Sequence, residues 1–488
     1  MHKKLLPAMI VSLLAPAVSH AEVELISIGE ISGAYEDLAS QTAAPLENSV
    51  PGNRLGGIGS AIAYAGDSTF LTLPDRGPNA KPYNSSVDDT VSYIARFHTF
   101  RLSLAPSDPG SPLPFTLTPT LRDTTLLSSR QPLVYGTGVG LGYRVDGVTP
   151  LGSGAPALNS QDHVNYFTGR SDNFNPARLS TDPRDARLDP EGIRVSPDGR
   201  SVFVSDEYGP YVYQFDRATG QRVRSYVLPD ELAITVLSPQ KDVEIASNKV
   251  GRVTNKGMEG LAITPDGRKL VGVMQANLEQ DKKGSLRIVT IDVVTGATHE
   301  YAYKLTDGSG VSEILAVNDH EFLVDERDGA GMADTPLLTD TASAAKFKEL
   351  FLIDLNGAQD IAGKSGDLSS YAVPKTLFLD VVKALTGAGI DARLIPSKIE
   401  GIAFGEDVVK DGKTKHTLFI ANDNDFLATV ADPLKSPGDS TRGMVPNPNK
   451  FFVFAFDPED LDGYTPERFR DQGNDHDHGC NDRDDCSR

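Results

Sequence analysis

Short apolar stretches recur along the chain, separated by turn-forming residues, and few segments carry a 3.6-residue period. In the central stretch they build a repeated unit. Residues 189–207 read D-P-E-G-I-R-V-S-P-D-G-R-S-V-F-V-S-D-E, and residues 257–275 read G-M-E-G-L-A-I-T-P-D-G-R-K-L-V-G-V-M-Q. In both, Glu and Gly precede an apolar strand, a P-D-G-R turn follows, and a second strand returns. Pro197-Asp198-Gly199 and Pro265-Asp266-Gly267 favour a tight reversal between period-2 runs, so each unit is predicted to be a β-hairpin. Weaker copies pair V-S-E-I-L-A-V at 311–317 with E-F-L-V-D-E-R-D at 321–328, and K-I-E-G-I-A-F at 398–404 with T-L-F-I-A-N-D-N-D at 417–425. Near the start, G-S-A-I-A-Y at 59–64 leads to F-L-T-L-P-D-R-G at 70–77.

A hairpin returning about every 50 to 90 residues predicts an all-β fold, a β-propeller whose blades each contain one hairpin as the inner strand pair. The interval from Ser60 to Glu191 has room for a blade without the signature, so six blades are expected, with seven as the alternative. The strand-like ends, Val23 to Ile28 and Phe451 to Phe456, are placed to pair and close the ring. Two segments suit helices, 341–351 and the run from Pro374 to Leu385, both read as insertions between blades.

Composition agrees with a turn-rich protein, since the 488 residues include 45 Gly and 32 Pro. With 47 basic and 67 acidic residues the net charge is −20, so no basic stripe exists to displace counterions from a nucleic acid. That balance is compatible with binding cations. Residues 1–21 read as an export signal: Lys3 and Lys4, an apolar run from Leu5 to Ala17, and small Ser19 and Ala21 before the cut. A periplasmic or secreted protein is expected, without a membrane span, because no later apolar run approaches the roughly 18 residues a span requires. The propeller then occupies 22–470, and an acidic, disordered tail occupies 471–488. The only cysteines, Cys480 and Cys486, lie in that tail, where an oxidising compartment permits a small disulfide loop that encloses none of the propeller. His476 and His478 alternate with Asp beside them, which reads as a solvated tail more than as a metal scavenger.

A further set of motifs runs in order along the chain: L-P-D-R-G-P-N at 73–79, D-P-E-G-I at 189–193, V-S-D-E-Y-G-P at 204–210, A-S-N-K at 246–249, G-M-E-G-L-A-I-T-P-D-G at 257–267, D-E-R-D at 325–328, and K-I-E-G-I-A-F with N-D-N-D at 398–404 and 422–425. By these residues the chain resembles the phytase-like family of exported bacterial proteins, also labelled esterase-like activity of phytase. The resemblance extends in order over roughly residues 25 to 460 and implies a β-propeller with phosphoester hydrolysis as the associated chemistry. The first unit departs from the pattern, with Ser60-Ala61 where later units have Glu-Gly.

The repeat itself places candidate chemistry. Glu191, Glu259, Glu313 and Glu400 precede the inner strands of four units, so repetition predicts a ring of carboxylates about the axis. Like charges that close need a cation or arginines to stay ionised, and oxygen-only ligands favour Ca²⁺ over Mg²⁺ or Mn²⁺. The competing reading is that each Glu caps a neighbouring blade's backbone. Asp75 and Asp423 are further candidate metal ligands, Glu191, Glu259, Glu400, Asp206 and Glu207 candidate catalytic groups, and Arg76, Arg327 and Asn248 candidate substrate contacts. Arginine reads phosphate bidentately, which is why Arg76 and Arg327 suit an anion. No G-x-S-x-G elbow supports a serine triad and no Gly-rich loop ends in Gly-Lys-Ser/Thr. These features together predict a monomeric, metal-dependent hydrolase of small anionic phosphoesters, phytate among them. The alternatives are a non-catalytic propeller that binds a ligand or cation, and a lactonase-like hydrolase.

Overall fold

The computed structural model describes residues 23–79, 90–160, 163–308 and 310–469. The expected signal segment and the tail with Cys480 and Cys486 lie outside the described residues.

Five sheets with four successive antiparallel strands each are arranged as propeller blades. Blade one comprises Ala61–Tyr64, Thr69–Leu73, Arg96–Pro106 and Phe115–Leu126. Blade two runs Pro190–Val195, Ser201–Asp206, Tyr211–Asp216 and Arg222–Val227. Blade three runs Met258–Ile263, Lys269–Met274, Ser285–Asp292 and Thr298–Lys304. Blade four runs Gly310–Ala316, Glu321–Arg327, Lys348–Asp354 and Lys375–Asp380. Blade five takes Ile399–Phe404, Lys413–Asn422 and Asn449–Phe456 from the C-terminal part and completes itself with the N-terminal strand Glu24–Ile31. That last pairing, with Ile28 opposite Phe452, joins the two ends of the chain and closes the ring.

The expected hairpins are the inner strand pairs, with Gly199 and Gly267 at positive φ in the two P-D-G-R turns. Each inner strand packs against the inner strands on both sides, and the first against the last. Such strands are covered on both faces, which explains their nearly continuous apolar sequence. Five apolar clusters fill the five inter-blade spaces. Leu71 and Leu73 meet Ile193 and Val204 between blades one and two, for example, and Leu323 and Leu350 meet Ile402 and Phe452 between blades four and five.

The ring therefore closes with five blades among the described residues, one fewer than the spacing suggested. The long interval before Glu191 holds the two longest strands of blade one, and then a loop-rich stretch with only the pair Ser128–Ser129 and Asn165–Tyr166. That stretch packs Phe167, Ala186 and Leu188 onto the first inter-blade cluster instead of forming a sheet of its own. The helix expected at 341–351 is also absent. Lys348–Asp354 pairs with strands on both sides, and tertiary pairing overrides local helix propensity. In the second helical candidate only Val381–Gly387 is helical, capped by the Asp380 carboxylate on the Lys383 N–H at 2.8 Å. Among the described residues no helix is long and apolar enough to cross a membrane.

Candidate active site at the channel mouth

A β-bulge at the start of the inner strands positions the site. In blade two Pro190 faces Asp206 and Gly192 faces Ser205, so Glu191 is the extra residue. Glu259 is the extra residue in blade three, and Glu400-Gly401 together oppose a single residue in blade five. A bulge redirects one side chain away from the ladder, here into the channel. The glycine that follows lets the next blade approach: a Cβ on Gly260 would lie 2.7 Å from the Glu313 Cα, and one on Gly401 2.8 Å from the Ile62 nitrogen.

Glu191, Glu259 and Glu400 thus line one cavity of about 160 Å³, together with Asp75, Arg76, Glu207, Arg327, Lys398, Asn255, Lys256, Gln275 and Ser312. Glu313 does not join them. In blade four the bulge residue is Ser312, and Glu313 occupies the place of the glycine. Its carboxylate accepts from the N–H groups of Leu261 and Ile314 at 2.8 and 3.0 Å, and faces Arg194 at 3.2 Å. The one-residue difference is visible on aligning the apolar strands, since S-E-I-L-A stands where the others read E-G-I or E-G-L. Arg194, 1% exposed, extends from blade two across the channel, donating to the carbonyls of Ile62 in blade one at 2.8 Å and Ile314 in blade four at 2.9 Å. Arg194 thereby ties blades one, two and four together beside the cavity.

Among the described residues Arg76, Arg327 and Lys398 each have a carboxylate partner in the mouth, whereas Lys256 donates to the Gln275 side-chain oxygen at 3.2 Å. Arg76 gives its backbone N–H and one guanidinium N–H to the two oxygens of Asp189, at 3.1 and 2.6 Å, and stands 3.8 Å from Glu207. Arg327 donates to Glu400 and to the Ser312 hydroxyl. Lys398 bridges Asp423 and Asp425, with 2.7 Å to the latter. Carboxylates still outnumber these cations. Burial, reinforced by the charge of Glu259, holds the Glu191 and Glu207 carboxyls well above the usual range. Burial and then Glu400 push Glu259 up to about 7. Asp75 is raised by burial and by Asp423, while Asp423 itself is pushed to about 7 by burial against the pull of Lys398. For Asp425, burial is opposed by Lys398 together with Arg76 and Arg327, and the carboxyl is lowered overall.

Two expected residues face elsewhere. Asp206 ends the second strand of its hairpin, but its carboxylate caps the turn, accepting from the N–H groups of Asp189, Tyr208 and Gly209 at 3.0–3.1 Å. Asn248 ends the short helix Lys241–Ser247, where its amide accepts from Thr235 and Val236 and donates to Val236 and Glu244. Both are satisfied structural groups, and neither lines the cavity. The residues that the sequence pattern did not single out are Asp189, Lys398, Asn255, Lys256, Gln275 and Ser312. A signal existed for two of them: Asp189 and Lys398 stand two positions before Glu191 and Glu400, on the same side of an extended chain.

A family model described as "Phytase-like: Esterase-like activity of phytase" matches residues 53–426, which include every cavity residue named above. An "Uncharacterized secreted protein" of the fungus Arthroderma benhamiae is 26% identical, over 77% of this chain and 84% of its own length. Among solved structures, Kuenenia stuttgartiensis hydrazine synthase aligns with a TM-score of 0.28 at 12% identity, covering 76% of this chain and 78% of that one. Saccharomyces cerevisiae Sqt1 aligns with a TM-score of 0.27 at 6% identity, covering 80% and 69%. Scores this low say nothing of what this chain does.

Proposed function

This chain belongs to the phytase-like family, and on that premise we propose that it is an exported hydrolase of phosphoesters working in the channel mouth. The supporting observation is the cavity lining, which sets Arg76, Arg327 and Lys398 around one small space with the carboxyl groups of Glu191 and Glu259. Guanidinium and ammonium groups suit the oxygens of a phosphoryl group, and their buried carboxylate partners fix them in place for it. The cavity has room for a phosphoryl group and a few waters, so the alcohol part of the ester would remain at the mouth. Ser312 is already an acceptor for Arg327, and no histidine lines the cavity to activate it. Water is therefore the nucleophile in this reading. A divalent cation on the free carboxylates, Ca²⁺ before Mg²⁺ or Mn²⁺, would supply polarisation of a phosphoryl oxygen. The secreted fungal relative and the signal-like N-terminus support export, to a periplasm or the medium.

The test is release of inorganic phosphate from phytate and from a chromogenic phosphomonoester, with each cation and with chelator. Cation-dependent release that Arg327→Met reduces by about 100-fold or more is expected. Absence of cation-dependent turnover on every phosphoester tried would end the hydrolase reading and leave a propeller that only binds.

A further inference from the structure

Three groups of carboxylates in the mouth have ligand oxygens within 4.8 Å of one another: Asp75–Asp189–Glu191, Asp75–Asp423–Asp425 and Glu191–Glu207–Glu259. They differ in what already neutralises them. In the first, Arg76 occupies both oxygens of Asp189. In the second, the Lys398 ammonium lies between Asp423 and Asp425. In the third, among the described residues, the cation within 4 Å is Arg76, at 3.8 Å from one oxygen of Glu207. Glu259 is 3% exposed; one of its oxygens accepts from the Gln275 amide at 2.6 Å, and the other has no partner. Glu191 is 7% exposed, and among the described residues its carboxyl group has neither a hydrogen bond nor an ion pair. Carboxylates buried without partners take up a proton or a cation, and these three, whose oxygens lie within 4.8 Å of one another, are placed to share one cation. Asn255 lines the same cavity and presents an unpartnered amide oxygen, a neutral donor of the kind Ca²⁺ accepts alongside carboxylates.

We propose that the channel mouth binds one divalent cation, Ca²⁺ by its donor set, on Glu191, Glu207 and Glu259, and that Lys398 is the protein's built-in cation in the adjacent Asp75–Asp423–Asp425 group. A second ion is excluded there because the ammonium holds its place. Removing the ammonium should open that place. The assignment deepens the hydrolase reading and rests on it for the cation's use in turnover, but not for its binding.

Binding is measured without substrate, on full-length mature protein treated with chelator, by calorimetric titration with Ca²⁺ and by native mass spectrometry. One Ca²⁺ per chain is expected. Glu207→Gln and Glu259→Gln should each weaken it by at least about 100-fold, whereas Asp423→Asn should change it by no more than about 3-fold. Lys398→Met should bind two. Circular dichroism identifies any variant that fails to fold, and the wild-type stoichiometry then decides. A wild-type count of zero or two, wild-type affinity in both Glu variants, or a folded Lys398→Met that binds one ion overturns the assignment. One bound Ca²⁺ without turnover on any phosphoester would sink the hydrolase reading and leave this one standing.

Discussion

Arg194→Met should cost about 3–5 kcal/mol, while Glu313→Gln, at the other end of the same contact, should cost under about 1 kcal/mol. Arg194 donates to the carbonyls of Ile62, Ile193 and Ile314 at 2.7–2.9 Å inside the ring. A hydrogen bond from a charged donor is worth about 1.5–3 kcal/mol, and a buried acceptor left without one costs about 1–3. Two of the three carbonyls belong to other blades, so relaxation cannot satisfy them all. Met keeps most of the aliphatic volume and limits the cavity contribution. Glu313 differs because burial outweighs Arg194 and pushes its carboxyl up to about 8, so at pH 7 it is mostly the neutral acid. Gln has that shape and still accepts from Leu261 and Ile314. The linkage sign follows: a carboxyl raised in the folded state stabilises most below its unfolded value, and that contribution is lost as pH rises through about 8. Urea unfolding of both variants between pH 5 and pH 9 is the assay. Glu313→Gln should flatten part of the wild-type decline between pH 5 and about 8. A loss below about 1 kcal/mol for Arg194→Met, or equal losses for both, would refute the view that bridging between blades outweighs the ion pair.

Gly260→Ala places a Cβ 2.7 Å from the Glu313 Cα, where only backbone can yield, so calorimetry should show a loss of about 1–3 kcal/mol from overpacking. Deleting residues 23–31 removes the outer strand of blade five and uncovers Asn449–Phe456; proteolysis of native protein should then cut in that blade first, and unchanged protection would contradict ring closure by this strand. Asp185 and Asp206 are both pushed to about 7 by burial, so chelated protein should lose melting temperature as pH rises from 5 to 8. Asp206→Asn should reduce that slope without reducing phosphate release, because the carboxylate caps a turn outside the cavity.

Much of the fold was legible because hairpin signals are local. The P-D-G-R turns, the alternation of their flanking strands and the apolar chain ends lie within single segments, and all appear in the ring. Blade number was less legible, since long loops and a missing blade look alike in sequence until Leu127 and Phe167 are seen packing on blade one. For the cavity, the bulge register decided which glutamates turn inward. Glu191, Glu259 and Glu400 share the E-G pair, whereas Glu313 stands one residue later and is carried to the inter-blade contact. Asp206 and Asn248 show a separate limit: a strand end can direct a carboxylate or amide to the cavity or to a turn, and the choice depends on which backbone N–H groups lack acceptors. Lys398 is the converse case, an ordinary lysine in sequence whose importance comes from Asp423 and Asp425 folding back onto it.

The most direct measurement is anomalous diffraction from crystals grown with Mn²⁺ and inorganic phosphate. One anomalous peak should lie within coordinating distance, about 2.2 Å, of carboxylate oxygens of Glu191, Glu207 and Glu259, with phosphate between that peak and Arg327. The Asp423–Asp425 pair should keep Lys398 and no metal. An empty mouth in crystals that bind Mn²⁺ elsewhere, or phosphate held instead in a second cavity, lined by Tyr64, Asp123, Arg200 and Arg217, would contradict the assignment of chemistry to the channel mouth.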